Sequence, residues 1–241
     1  MQLVYTLLLF VITFAGGSIP LWVKGLDDKR MNYLLAFSGS FLLGITFLHL
    51  LPEAFSNIGA RAGFYLLIGF FIQLLIQRIT HGIEHGHAHI HPHEHHIPLL
   101  SILLGISIHA FMEGLPLGFN YSMKATQPSL YLAVAAHKLP EAMLVTSLVI
   151  STKGKQSAIW ILLLFSCITP VAGILANTLG NSYPGMASAS AILVPIVAGA
   201  FIHIATTIFY ESGTKQHTLS TQKILAILIG VSLAFITLIF E

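Results

Sequence analysis

Residues 97–119 read Ile-Pro-Leu-Leu-Ser-Ile-Leu-Leu-Gly-Ile-Ser-Ile-His-Ala-Phe-Met-Glu-Gly-Leu-Pro-Leu-Gly-Phe, with Glu113 the only formal charge. A bilayer core asks for about 20 mostly apolar residues per helix, and this stretch meets that length. It also holds an imidazole, His109, and a carboxylate, Glu113, deep inside it. Composition extends the reading outward. The 241 residues are 55% hydrophobic and 8% charged, whereas an ordinary soluble domain is about a quarter charged. A chain of this size lacks the interior to hide so much apolar surface from water. A soluble enzyme and a disordered chain are both excluded. The net charge of +2 is too small to suggest nucleic acid as a partner, and the single Cys167 forms no intramolecular disulfide. The 13 histidines outnumber the 11 Lys and Arg.

Scanning on the same rule predicts eight spans: Met1–Val23, Leu34–Ala54, Phe64–Ile79, Ile97–Phe119, Leu130–Ser151, Ser157–Leu179, Ala189–Tyr210 and Gln222–Phe240. The first has no basic leader region and no clear cleavage site, so it is read as a span. The expected fold is an all-α membrane protein, one transmembrane domain over residues 1–241. Loops after spans 1, 3, 5 and 7 carry Lys24, Lys29, Arg30, Arg78, Lys153, Lys155, Lys215 and Lys223, and the other side carries only Arg61 and Lys124. This asymmetry places both termini outside the cytoplasm and orients the chain as a multi-pass protein, expected in the cell (inner) membrane.

The longest polar stretch, at about 80–96, contains His81, His85, His87, His89, His91, His93, His95 and His96. It has no apolar period and reads as a flexible cytoplasmic tract, able to capture metal or to act as a plain tether.

Charges within lipid are costly and usually functional. Span 4 carries His109-Ala-Phe-Met-Glu113-Gly and span 5 carries His137-Lys-Leu-Pro-Glu141-Ala. A spacing of four residues sets imidazole and carboxylate on one face of each helix. At about 1.5 Å per residue the four groups fall in one band near the midplane. Two nitrogens and two carboxylate oxygens suit zinc or another first-row dication. One such pair alone is also what an internal hydrogen-bonded couple looks like; two at matching depth favour a metal site. Pro116 and Pro140 are expected to bend their helices and free the Met112 and Ala136 carbonyls, as broken midplane helices do in transporters. Lys138 lies three residues from Glu141 and is expected to pair with Glu141 or Glu113.

Other polar residues are less specific. His49 and Glu53, in His-Leu-Leu-Pro-Glu-Ala at the outer end of span 2, read as an entrance or as an interfacial helix end. His203 in span 7 reads as a pathway residue or as an interior hydrogen-bonded histidine, and Glu211 as a solvated helix end.

Taken together, these features resemble the ZIP (Zrt-, Irt-like protein) metal transporters, bacterial type, over essentially the whole chain. The most specific pieces are His109-x-x-x-Glu113-Gly and His137-x-x-Pro140-Glu141. The resemblance implies a 3+2+3 arrangement with inverted repeats around spans 4 and 5. It also implies a central binuclear centre moving metal toward the cytosol, with His109, Glu113, His137 and Glu141 as the primary site. At the positions of the second site this chain has Ala110, Lys138 and Thr169. A mononuclear site is therefore expected, with the Lys138 ammonium standing where a second ion would be. Transport of zinc or a related dication is the leading function, with no enzymatic activity and, as partners, the ion, the bilayer and a possible homodimer. The alternatives are an intramembrane zinc hydrolase and a metal sensor that does not transport.

Overall fold

The computed structural model describes residues 2–23, 28–80, 98–118, 127–183, 186–211 and 220–240. Apart from turns, these residues are helical throughout, and no strand occurs among them. In chain order the elements are α1 (Gln2–Trp22), α2 (Asp28–Ile45), a π-helical segment (Thr46–Leu50), α3 (Leu51–Ile58), α4 (Arg61–Thr80), α5 (Leu99–Gly118), α6 (Gln127–Lys153), α7 (Lys155–Ser182), α8 (Met186–Glu211) and α9 (Thr221–Thr237). A 3₁₀ turn, Leu238–Phe240, follows. The His-rich tract lies outside the described residues, so the expectation attached to it has no structural counterpart here.

Seven helical stretches are long and apolar enough to cross a membrane; one of them is Lys29–Ile58, comprising most of α2, the π segment and α3. The 17 residues of α9 fall short alone. With the 3₁₀ turn they extend about 31 Å, near the thickness of a hydrocarbon core. The observed helices run past the expected limits by a few residues at most ends, because the first and last turns carry the polar residues that a hydropathy scan trims away.

Span 2 holds the departure from regular geometry. Pro52 lacks an amide, and its ring crowds the carbonyl of residue 48. The chain answers by widening one turn: the Leu51 N–H bonds the Thr46 carbonyl, five residues back. α5 and α6 continue as α-helix through Pro116 and Pro140, whose missing amides leave the Met112 and Ala136 carbonyls without their usual helical donor.

Two helix groups emerge from the packing. In one, α1 lies against α6 and α7, and α7 against α5 and α6. In the other, α2 lies against α9 and α8, and α4 against α8. The groups meet where α2 touches α6 and where α5 touches α4 and α8. In lipid, helices associate through close fit rather than by escaping solvent, which favours small residues at contacts. At Gly69 an added Cβ would collide with the Ile196 carbonyl, and at Gly199 with that of Leu66. Within the first group, a Cβ added at Gly114 would collide with the Thr169 carbonyl and come within 2.7 Å of the Ala172 Cβ. The opposite side of α4 is lipid-facing in character, with Phe64, Leu67, Phe71 and Leu75 exposed.

Candidate metal centre

The centre forms where α5 and α6 cross. His109 meets Glu141 and Glu113 meets His137, so the two helices run antiparallel. Nε2 of His109 is 3.0 Å from Oε1 of Glu113 on its own helix and 3.8 Å from Oε1 of Glu141. Nε2 of His137 is 3.8 Å from Oε1 of Glu113. Donor atoms of His109, Glu113 and His137 lie within 4.8 Å of one another. All four side chains are buried, none more than 1% exposed.

A zinc ion with bonds of about 2.05 Å and tetrahedral angles has donors about 3.4 Å apart. Three of the six edges of such a set, at 3.0, 3.8 and 3.8 Å, bracket that value, and Glu141 joins the His109–Glu113–His137 group through His109. Among the described residues, both nitrogens of His109 and His137 and Oε1 of Glu113 and Glu141 lack an aligned hydrogen bond. Close approach without alignment is what lone pairs show when they converge on a common point rather than on each other. Buried polar atoms are otherwise nearly always satisfied.

Lys138 occupies the far side of the carboxylates. Its Nζ is 2.5 Å from Oε2 of Glu113 and also contacts Oε2 of Glu141. Each acid is thus divided, Oε2 toward the ammonium and Oε1 toward the imidazoles. The ammonium also stands 5.3 Å from the ring centroid of Phe165 on α7, a cation–π contact. With neutral imidazoles, two carboxylates and one ammonium give a formal charge of −1, and a dication would bring it to +1. Thr169 and Ala110 meet too: the Thr169 hydroxyl donates to the Ala110 carbonyl at 2.9 Å. That bond ties α7 to α5 beside Gly114.

The peripheral residues lie on elements other than α5 and α6. His49 lies in the π segment, only 4% exposed, with Nε2 2.9 Å from Oγ1 of Thr237. Thr237 spends its own proton on the Ala234 carbonyl at 2.6 Å. Nε2 of His49 is therefore the donor in that pair. Glu53 lies four residues further, in the first turn of α3. His203 is buried on α8, its ring edge-on to Phe70 at 4.8 Å between centroids. Sequence reasoning did not single out Phe165, Thr237 or Gln73. Phe165 and Thr237 gave no signal, being ordinary residues for a span. Gln73 did give one: it is the sole amide in the stripe Ala62, Gly69, Gln73, Ile76 and Thr80, the buried face of α4.

Comparison with known proteins bears on this arrangement. The family profile described as ZIP Zinc transporter matches residues 1–101 and 89–238. The chain belongs to the ZIP zinc transporter family. Zinc transporter ZIP9 of Xenopus tropicalis is 27% identical over 172 residues, 68% of this chain and 56% of that protein. Human zinc transporter ZIP2 is 35% identical over 109 residues, 44% of this chain and 35% of that protein. Zinc transporter 8 of rice is 27% identical over 116 residues, 46% of this chain and 30% of that protein. The matches span between about a third and just over half of these relatives. Within this ZIP chain, the two His-x-x-x-Glu turns are the elements that meet.

Proposed function

We propose that the chain carries zinc, or a closely related dication, across a membrane through a mononuclear site made of His109, Glu113, His137 and Glu141. The observation that supports this reading is the division of the two carboxylates, with Oε1 atoms facing the imidazoles and Oε2 atoms taken by Lys138. One ion fits on the imidazole side, while the ammonium repels a second from the other. The named activity of the relatives agrees with transport. Hydrolysis is disfavoured because both acids already neutralise Lys138, so neither stands apart as a general base.

In the full reading the chain is one domain over residues 1–241 with eight spans. They are arranged 3+2+3 with inverted repeats, and both termini lie outside the cytoplasm of the cell (inner) membrane. Ions enter near Glu53 and His49, bind at the centre, pass His203 and leave toward the His-rich loop, where His85 to His96 capture them. A homodimer in the bilayer is part of this reading. The test is flux of a zinc-reporting dye in liposomes containing the purified protein. Wild type is expected to admit zinc, and His137→Ala to be reduced to the leak of empty liposomes. Equal flux in the two, with equal protein inserted, defeats the proposal.

A further inference from the structure

Gln73 is fully buried on α4, and among the described residues neither its Oε1 nor its Nε2 has a hydrogen-bond partner. Polar groups in a dry helix contact are normally paired, so an amide with neither end satisfied needs a reason. Its surroundings are fixed by its neighbours on the same stripe. One turn before it, Gly69 lies against the backbone of α8. One and two turns after it, Ile76 and Thr80 lie against Gly105 of α5. Gln73 therefore sits at the junction of α4, α5 and α8, where the two helix groups meet.

Its depth follows from the same contact. Gly105 touches Thr80 and Ile76, and as consecutive spans α4 and α5 run in opposite directions away from that contact. Gln73 is seven residues from Thr80, about 10.5 Å, and the equal step on α5 reaches Met112. His109 and Glu113 are three residues and one residue from Met112, within a single turn. An unsatisfied amide thus stands at the depth of the metal centre, on the helix group that does not carry it.

We propose that Gln73 is a further polar station for the transported ion, on the wall facing α5, where its Oε1 accepts from a water bound to the dication. This rests on the transport reading above. An amide suits the task better than a carboxylate. It is neutral, so it is buried at lower cost than a charge. Its carbonyl oxygen is a weak partner for a hydrated dication, so the ion is steadied without being trapped. A leucine of similar size would pack in the same space and leave no polar atom unsatisfied. If packing were the sole demand, leucine would be the better residue.

That contrast sets the test. Gln73→Leu is compared with wild type by zinc flux in liposomes and by thermal unfolding in detergent, with His137→Ala as the transport-dead control. The half-saturating zinc concentration is expected to rise about three- to tenfold, the loss of one hydrogen bond. The melting temperature is expected to stay equal or rise. Gln73→Glu, which keeps an acceptor oxygen, is expected to restore half-saturation to the wild-type value or below. Superimposable flux curves for wild type and Gln73→Leu overturn the inference. So does a flux loss that follows a lowered melting temperature and is not recovered in Gln73→Glu. If wild type moves no more zinc than His137→Ala, the transport reading itself fails and this inference falls with it.

Discussion

Replacing Lys138 by leucine tests the electrostatics of the centre most sharply. The ammonium is 1% exposed and contacts both acids. Removing one partner of a buried ion pair costs about 3–5 kcal/mol. At about 2–4 °C per kcal/mol for a chain of this size, metal-free Lys138→Leu should melt about 6–20 °C below wild type. Zinc binding should move the other way. Nζ is 2.5 Å from Oε2 of Glu113; adding about 2.2 Å across the carboxylate and a metal–oxygen bond of about 2.1 Å puts the ammonium about 5–6 Å from an ion held on the Oε1 side. At an effective dielectric constant of about 20, repulsion between ammonium and dication is about 6 kcal/mol. Even a third of that, about 2 kcal/mol, is close to a 30-fold gain in affinity once the ammonium is gone. The assays are thermal unfolding with and without zinc, and calorimetric titration of the detergent-solubilised protein. Lys138→Leu should be fragile when empty, gain far more than wild type from zinc, and turn over more slowly because the ion leaves late. Unchanged melting and unchanged affinity would refute the placement of the charge.

Related changes carry their own expectations. Glu141→Ala should abolish zinc uptake while the protein still reaches the membrane, read by flux against surface-labelled protein; wild-type flux would remove Glu141 from the site. Lys138→Asp should raise bound zinc from about one per chain toward two, read by elemental analysis after desalting; unchanged stoichiometry would end the account of Lys138 as a stand-in ion. Protons and zinc compete for the same imidazole nitrogens, so uptake should decline as pH falls below about 6.5. A flat profile from pH 7.5 to 5 would count against His ligation. Gly114→Val should wedge α5 from α7 at the Thr169 carbonyl, costing about 1–3 kcal/mol in thermal unfolding, and a melting curve like wild type would show that contact to be loose.

The spans were legible because length and apolar content follow directly from the thickness of the bilayer. The pairing of His109 with Glu113 was legible because a spacing of four residues fixes a shared helix face; that His137 reaches across to Glu113 and Glu141 to His109 was not, since it depends on how the two helices cross. Lys138 was legible only in part. Its place in the chain allowed either acid as partner, and the structure shows both, each through Oε2. Nothing local to α5 or α6 dictates that division, which depends on how the helices cross. The prolines were visible in the sequence but their consequences differ: α5 and α6 run on through Pro116 and Pro140, while the turn before Pro52 widens into a π segment. Distant contacts such as His49 with Thr237, 188 residues apart, depend on the docking of α9 on α2. Hydropathy does not encode that.

Zinc-edge anomalous diffraction from zinc-loaded protein tests the central claim most directly. The account predicts one anomalous peak, about 2.0–2.2 Å from Nε2 of His109 and His137 and from Oε1 of Glu113 and Glu141, with Lys138 still on the Oε2 side. Two peaks between α5 and α6, or none among these four side chains, would contradict it.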